Sequence, residues 1–396
     1  MITKHVMRSM LAVLAAGALS LALTPTAGAD LAFTSVGASL TGPDGTFSRQ
    51  AGEHSDLTIH AEFSQPATEP VRDFDVDLPV GLTGNPVGLR TCSLADLQGA
   101  AGAGVDSCPA STRVGSVVVE IYAGAPIFTG VYNLDPGSDA PAKLGFNFFN
   151  TLGIITARVR PGDYGISSGS FAISQAQVIK SVTVTLWGVP SDPIHDADRN
   201  GPSPVPGGAF MTNPTSCTDS PVAFTARGDS WSAPGRYATE VLSADPDGTP
   251  FVFDGCERLP FEPSIDVQPL SHTADAPTGL NVDLTVPQND APYGLASAHV
   301  RKAVVTLPKG MSVSPSSAAG LGACAPSEIG LGTNNAPTCP ASSRIGTVRI
   351  DTPLLADPLE GDVILAKQDD NPFHSLLALY FVVKGPGFYV KLPGRV

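Results

Sequence analysis

The segment Asp196-Ala-Asp198-Arg-Asn200-Gly201 carries oxygen-bearing side chains at a spacing that could hold a metal ion. Asp, Asp and Asn placed two residues apart resemble the first half of a calcium loop, in which their oxygens surround one cation. A complete loop has a bidentate Glu at its twelfth position, and that position here is Gly207. The sequence therefore predicts either a calcium site at Asp196, Asp198 and Asn200 or a polar turn, and the missing Glu favours the turn. We expect no other cofactor.

Three short segments resemble pieces of hydrolase active sites. Gly165-Ile-Ser167-Ser-Gly169 matches the G-x-S-x-G pattern, but a nucleophile elbow needs a strand before the Ser and a helix after it. Short β-like runs lie on both sides of Ser167, so we interpret the segment as a flexible turn. Ser230, in Gly-Asp-Ser, and His195, before Asp196, complete the candidates. We predict that the protein is not an enzyme, and a secreted hydrolase is the less favoured alternative.

The six Cys residues predict three disulfide bonds. They stand at positions 92, 108, 217, 256, 324 and 339. An even number of Cys in an exported chain indicates disulfides, and zinc is disfavoured because no C-x-x-C pair and no paired His accompany them. Proximity along the chain favours Cys92 with Cys108, Cys217 with Cys256, and Cys324 with Cys339.

The N-terminus has the three regions of a secretory signal peptide. Lys4 and Arg8 precede an uncharged, apolar run at residues 9–23, and Ala27-Gly28-Ala29 follows as a cleavage site. The run is shorter than the about 20 residues that span a bilayer. We expect residues 1–29 to be removed, leaving a secreted, extracellular or cell-envelope protein with no membrane span.

The charge balance excludes nucleic acid as a partner. Two of the 23 basic residues lie in the predicted leader, so 21 bases face 37 acids and the formal net charge is −16. A surface this acidic repels a phosphate backbone. Charged residues make up 15% of the chain and hydrophobic residues 42%, which favours a folded protein over a disordered one.

Two copies of one long repeat organise the chain. Cys108-Pro-Ala-Ser-Thr-Arg-Val-Gly-Ser-Val reappears as Cys339-Pro-Ala-Ser-Ser-Arg-Ile-Gly-Thr-Val. Upstream, Leu78-Pro-Val-Gly-Leu matches Leu307-Pro-Lys-Gly-Met, and the alternating apolar residues at 57, 59, 61 and 63 match those at 280, 282, 284 and 286. Nothing after residue 396 matches residues 169–187. We therefore expect a fragment, or a last domain that is poorly formed in isolation with uncovered strand edges.

Alternating patterns and frequent turn residues predict an all-β fold. Phe74, Val76 and Leu78 alternate with three Asp residues, which we interpret as a solvated strand face because the second copy has Lys302, Val304 and Thr306 there. Helical periodicity is nearly absent, although Ser93-Leu-Ala-Asp96 predicts one helix start. The predicted fold is tandem antiparallel β-sandwich-like domains with disulfide-stapled loops and an incomplete second repeat, and a closed barrel is the alternative.

The repeat and the proline-rich stretches set the expected domain boundaries. We predict a signal peptide at 1–29, a β-sandwich at 30–189, a Pro/Gly-rich linker at 190–210, a small disulfide-closed β-subdomain at 211–260, and a truncated β-sandwich at 261–396.

Two residue types could bind a ligand. Arg113 and Arg344 stand at equivalent places in the two copies and could bind a carboxylate, although bonds to loop carbonyls or a neighbouring acid are favoured. Trp187 and Trp231 are the two Trp residues that could stack on a sugar.

Taken together, the LP-x-G segment, the Cys-Pro-Ala-Ser-x-Arg-(Val/Ile)-Gly block and the Gly 22 residues beyond its Cys, at Gly130 and Gly361, resemble a family of large, repeat-bearing exported proteins of high-GC actinobacteria. The resemblance implies location and a modular β architecture, and it carries no functional residue. We expect a structural or adhesive role in the cell envelope, with cell-surface glycan or other envelope proteins as partners. A carbohydrate- or calcium-binding module is the alternative.

Overall fold

A computed structural model describes residues 31–64, 69–99, 107–122, 124–199, 207–312 and 320–396. The predicted signal peptide lies outside these residues. The strands of the first part are β1 Ala32–Thr41, β2 Asp56–Ser64, β3 Val71–Asp77, β4 Thr83–Gly84, β5 Arg113–Ile121, β6 Ile127–Leu134, β7 Lys143–Phe148, β8 Thr151–Val159, β9 Ile166–Ser170, β10 Ile179–Leu186, β11 Met211–Thr212, β12 Phe224–Ser230 and β13 Ala238–Leu242. Those of the second part are β14 Ser264–Pro269, β15 Leu280–Thr285, β16 Arg344–Ile350, β17 Leu359–Leu365, β18 Ala378–Gly385 and β19 Phe388–Arg395.

Helices are short. They are α1 Leu94–Gln98, α2 Asp196–Arg199 and α3 Pro326–Ile329, with single 3₁₀ turns at Ala110–Thr112, Pro193–His195, Cys256–Arg258 and Ala341–Ser343. The predicted helix start at Ser93 is confirmed, because the Ser93 hydroxyl accepts a hydrogen bond from the Asp96 N–H at 3.0 Å. Among the described residues, no helix has the length and apolar character needed to cross a membrane.

Eleven strands form one antiparallel sheet, which we call the main sheet. Its strand order is β1-β2-β10-β5-β6-β7-β8-β9-β3-β12-β13. β1 at one end contacts β12 and β13 at the other, so the sheet curls nearly into a barrel. The predicted all-β, antiparallel, sandwich-like fold is confirmed, and the curled sheet lies close to the barrel alternative.

The core fills the inside of the main sheet. Leu40, Leu57, Val117, Phe224 and Phe251 are fully or almost fully buried there. Complete burial of one such side chain contributes about 1.5–3 kcal/mol.

Residues 211–260 differ from the small separate β-subdomain that we predicted. β12 pairs with β3, with Ala226 opposite Val76, so these strands extend the main sheet. Phe224 and Phe251 belong to its core, and their rings pack edge to face with centroids 5.0 Å apart. The segment joins the main sheet because its apolar residues have no other core to fill.

The three predicted disulfides are present, and two of them mark equivalent places in the two copies. The bonds join Cys92 to Cys108, Cys217 to Cys256, and Cys324 to Cys339. Cys92 forms a parallel β-bridge with Leu134, and Cys324 does the same with Ala366. Disulfides are compatible with an extracellular protein.

Within its described residues, the second copy forms two separate sheets. β14 and β15 form a hairpin, and β16 to β19 form a four-stranded antiparallel sheet in chain order. This four-stranded sheet touches the first copy: Tyr164 Oη donates to the carbonyl oxygen of Lys391 at 2.8 Å and accepts from its N–H at 3.0 Å.

Candidate functional site

An apolar cavity of about 340 Å³ lies inside the main sheet. Side chains from β2, β3, β5, β7, β8, β9 and β10 line it, and most of them are hydrophobic. A largely apolar pocket with a few polar groups is typical of a small-molecule site. This cavity is therefore the candidate functional site.

The cavity lies where the described residues cover the inward side chains of central strands only in part. Val184 on β10 stands between Ile59 on β2 and Val117 on β5. Val117 is fully buried, whereas Ile59 and Val184 keep part of their surface accessible. A fully packed interior would bury all three, since protein cores are packed as densely as organic crystals.

Gly153 in the cavity wall must be glycine because the Phe146 ring lies very close to it. Gly153 on β8 pairs with Phe146 on β7. A Cβ atom at position 153 would lie 2.1 Å from the Phe146 ring. Only glycine leaves room for the tip of this ring against β8.

The cavity opens beside the segment that follows β9. Ala172 and Ser174 line the cavity and are exposed to solvent. Phe171, which also lines it, stacks beneath the Arg158 guanidinium, whose carbon is 3.8 Å from the ring centre. Arg158 is exposed and is not itself part of the cavity wall, so its guanidinium lies next to the cavity through Phe171. The hydroxyl of Ser170 donates to the Ile154 carbonyl at 2.9 Å.

The size and lining of the cavity define what it can hold. One water molecule occupies ~30 Å³ in the liquid. A cavity of about 340 Å³ therefore has room for roughly eleven atoms of that size. This is about the bulk of a medium-length acyl chain. The arrangement can bind an apolar ligand and place an anionic end near Arg158.

The Asp residues of β3 form a buried ionic network, so our interpretation of a solvated face was wrong. Asp73 and Asp75 are buried. Arg227 on β12 donates to the Asp75 carboxylate at 2.6 Å and to Asp77 at 2.9 Å. Strands β9 and β12 flank β3 in the sheet, and the Arg227 side chain of β12 covers the Asp carboxylates, which the alternating pattern alone could not indicate.

Asp229 is the centre of this network. It is fully buried, and its carboxylate accepts hydrogen bonds from the N–H groups of Asp73 at 3.1 Å and Gly235 at 2.5 Å. The guanidinium of Arg72 lies 3.4 Å from the same carboxylate and 2.9 Å from that of Asp73. A buried charge needs such partners, so the network has a structural role.

The predicted hydrolase residues have three different sets of partners. Ser167 lies within β9, where a turn was expected, and its hydroxyl bonds to the Asp77 carboxylate. Ser230 is buried and contacts the hydroxyl of Ser232 at 3.2 Å. His195 places Nε2 3.5 Å from an Asp56 carboxylate oxygen. These contacts hold strands and loops together.

Trp187 is a buried structural residue, whereas Trp231 is half-buried. The Trp187 ring stacks on His195 with a centroid distance of 4.5 Å and an interplanar angle of 10°. The guanidinium carbons of Arg113 and Arg199 lie 5.5 and 5.6 Å from the Trp187 ring centre. The described part of the predicted linker, which supplies His195 and Arg199, therefore packs against the end of β10. Trp231 donates its indole N–H to the Ile173 carbonyl at 2.9 Å.

The two equivalent Arg residues have structural contacts. Buried Arg113 donates from Nε to the Gly115 carbonyl at 3.1 Å. Exposed Arg344 pairs with Asp362 at 2.9 Å. Gly115 lies within β5, so Arg113 bonds to a strand carbonyl where a loop carbonyl was favoured, whereas Arg344 bonds to a neighbouring acid, as the sequence favoured.

The predicted calcium ligands are partly described. Asp196 and Asp198 lie in α2, and the Asp196 carboxylate is paired with Arg199. Asn200 lies outside the described residues. Within the part of the chain that the structure describes, no group of three or more His, Cys, Asp or Glu side chains could hold a metal ion. The calcium site stays a prediction.

The sequence pattern identified two of the strands that build the cavity but not the cavity itself. The alternating apolar residues of β2 and β3 were recognised as strand-forming, whereas β9 was interpreted as a turn. A cavity depends on which strands face each other, and no local pattern carries that information. The small residues of β9, Ser168 to Ser170, are the signal that could have suggested an unfilled wall.

A buried histidine near β11 makes stability depend on pH. Burial lowers the pKa of His54 below its ordinary value of 6.5, and the Met211 carbonyl, 3.2 Å from Nδ1, offsets this in part. Between pH 6.5 and the lowered pKa, the unfolded chain binds a proton that the native protein does not bind. The stabilisation is complete above pH 6.5 and is lost as the pH falls below it.

We expect His54→Asn to flatten this dependence. For the unmodified chain, the contribution of His54 to the free energy of unfolding should fall by up to about 1.4 kcal/mol per pH unit below pH 6.5. Urea titrations at pH 7.5, 6.5 and 5.5 measure the slope, with His272→Asn at an exposed site as the control. Identical slopes for the two variants would contradict the assignment to His54.

No protein-family model, curated protein or solved structure matches this chain. The resemblance to exported repeat proteins of actinobacteria therefore stays a prediction.

Proposed function

We propose that the protein is an exported, non-catalytic protein of the cell envelope that binds an apolar ligand inside the main sheet. The observation that carries the proposal is the apolar cavity of about 340 Å³ with an opening at Ala172 and Ser174. Three disulfides support an exported location, since such bonds persist outside the cytoplasm.

A medium-length fatty acid fits the size and charge of this site. Transfer of each methylene from water into the cavity contributes about 0.8 kcal/mol, so a chain of about ten carbons gains roughly 8 kcal/mol before association costs. We expect a dissociation constant of roughly 50 µM, which corresponds to about −6 kcal/mol. Arg158, which stacks on Phe171 in the cavity wall, favours a carboxylate end over a neutral one.

Calorimetric titration of the full chain with decanoic acid tests the proposal. Val184→Phe places a larger side chain in the cavity and should weaken decanoate binding at least tenfold. Val241→Phe is the matched control, because Val241 lies on edge strand β13 and its side chain is exposed. Decanol has a hydroxyl in place of the carboxylate. Titration with decanol therefore measures how much of the affinity depends on the carboxylate.

Two results would overturn the proposal. One is the absence of decanoate binding below millimolar concentration. The other is equal affinity for the Val184→Phe and Val241→Phe variants, which would place the ligand outside the cavity.

The structural or adhesive role predicted from the sequence is a second candidate. It is favoured by the modular β architecture, with two sheets in the second copy beyond the main sheet. Co-sedimentation of the full chain with isolated cell walls tests it, and addition of calcium or soluble glycan identifies the alternatives. A chain that stays in the supernatant under all these conditions would contradict this role.

A further inference from the structure

The described strands of the second copy do not form one sheet, and the breaks lie at the two places where the first copy has β9 and β10. In the first copy, β10 lies between β2 and β5, and β9 lies between β8 and β3. The equivalents of β2, β5 and β8 are β15, β16 and β19. β15 and β16 belong to different sheets, and residues 300–306, the equivalent of β3, are in no strand.

Apolar side chains are retained on both sides of the β10 position in the second copy. In the first copy these side chains are covered, and in the second copy they are exposed. Leu57 is 2% exposed, and its equivalent Leu280 is 36% exposed. The exposed fraction rises from 0% at Ala61 to 44% at the equivalent Leu284, and from 0% at Val119 to 37% at the equivalent Ile350. The second copy therefore keeps apolar residues that nothing within the described residues covers.

Gly346 on β16 also indicates a strand at the β10 position. In the first copy, a Cβ atom at Gly115 would lie 2.1 Å from the Thr185 carbonyl oxygen of β10, so the close strand requires glycine. At the equivalent Gly346, the nearest atom is a Val363 side-chain carbon at 3.5 Å, an ordinary contact. The described neighbours of Gly346 do not require glycine, whereas a strand at the β10 position does.

We propose that the second copy accepts a β-strand from a partner polypeptide between β15 and β16. The partner strand takes the place that β10 has between β2 and β5. In that register, one partner residue lies beside Leu280 and Gly346, as Leu186 lies beside Leu57 and Gly115. The residue two positions earlier lies beside Val282 and Val348.

This register defines the chemistry of the partner segment. It is extended, with β-branched or Leu residues at alternate positions that cover Val282, Leu284 and Ile350. On its other face it passes between Asp283 and Arg349, as Thr183 passes between His60 and Val118, so a hydroxyl side chain fits there. Such strand addition combines backbone hydrogen bonds with side-chain pockets. The inference goes beyond the proposed function and uses different residues.

A synthetic peptide with the sequence of residues 177–188, which contains β10, is the probe. We expect the fluorescein-labelled peptide to bind the full chain saturably, and hydrogen exchange at β15 and β16 to slow when it binds. A peptide of the same composition in scrambled order should bind at least tenfold more weakly.

Two variants of the acceptor locate the binding site. Val282→Asp puts a charge on an exposed apolar position and should weaken peptide binding at least tenfold, whereas Val241→Asp on exposed β13 should leave it unchanged. Gly346→Val should fold normally, because only ordinary contacts surround position 346, and should abolish binding by blocking the close approach. The melting temperature of each variant reports its folding.

The inference is overturned if the peptide does not bind, or if Val282→Asp and Gly346→Val bind it as the unmodified chain does. It is also overturned if light scattering shows a dimer whose β15 and β16 amides are already protected without peptide. Decanoate binding depends on the first copy, so failure of one proposal leaves the other intact.

Discussion

Trp187→Ala is expected to lower the free energy of unfolding by about 4 kcal/mol, a typical cost for removing a buried Trp. The Trp187 side chain is 1% exposed and is stacked between the end of the main sheet and the segment that contains α2. Its removal leaves a cavity and withdraws the ring from His195, Arg113 and Arg199. Urea denaturation followed by circular dichroism measures the loss.

Trp231→Ala is the matched control. Trp231 is half-buried and packs near Arg72, whose guanidinium carbon is 5.6 Å from its ring centre. We expect its removal to cost about 1 kcal/mol. A loss below 1 kcal/mol for Trp187→Ala would show that the Trp187 ring does not have the packed position described above.

Asp229→Ala is expected to lower the free energy of unfolding by about 3 kcal/mol. The substitution leaves the N–H groups of Asp73 and Gly235 without their acceptor, and each such buried group costs about 1–3 kcal/mol. It also removes one of the two carboxylates beside Arg72. Asp229→Asn keeps one acceptor oxygen, so it should cost roughly half as much.

Asp247→Ala serves as the control for Asp229, because the Asp247 side chain is exposed. We expect a change within about 0.5 kcal/mol. Chemical denaturation at pH 7 compares the three variants. Equal stability of Asp229→Ala and Asp247→Ala would contradict the network centred on Asp229.

Local sequence patterns predicted those features that depend on neighbouring residues. The Cys pairs were predicted from their proximity and from the repeat, and the Ser93 cap from its spacing to Asp96. Alternation identified β2 and β3 because a strand with one buried face has a period of two residues. These features need no knowledge of distant partners.

Features that depend on strand order were not predictable in this way. Arg227 meets Asp75 because β12 pairs with β3, and 152 residues separate the two. The same pairing adds β12, and with it β13, to the main sheet. The cavity likewise depends on which side chains of β2, β8 and β10 face one another.

The central claim is that the cavity in the main sheet holds an apolar chain. A crystal structure of the full chain soaked with decanoic acid tests it most directly. We predict density for the acyl chain between Val184 and Ile155, with the carboxylate at the opening beside Phe171 and Arg158. Side chains that fill the interior completely, or decanoate bound elsewhere on the protein, would contradict the claim.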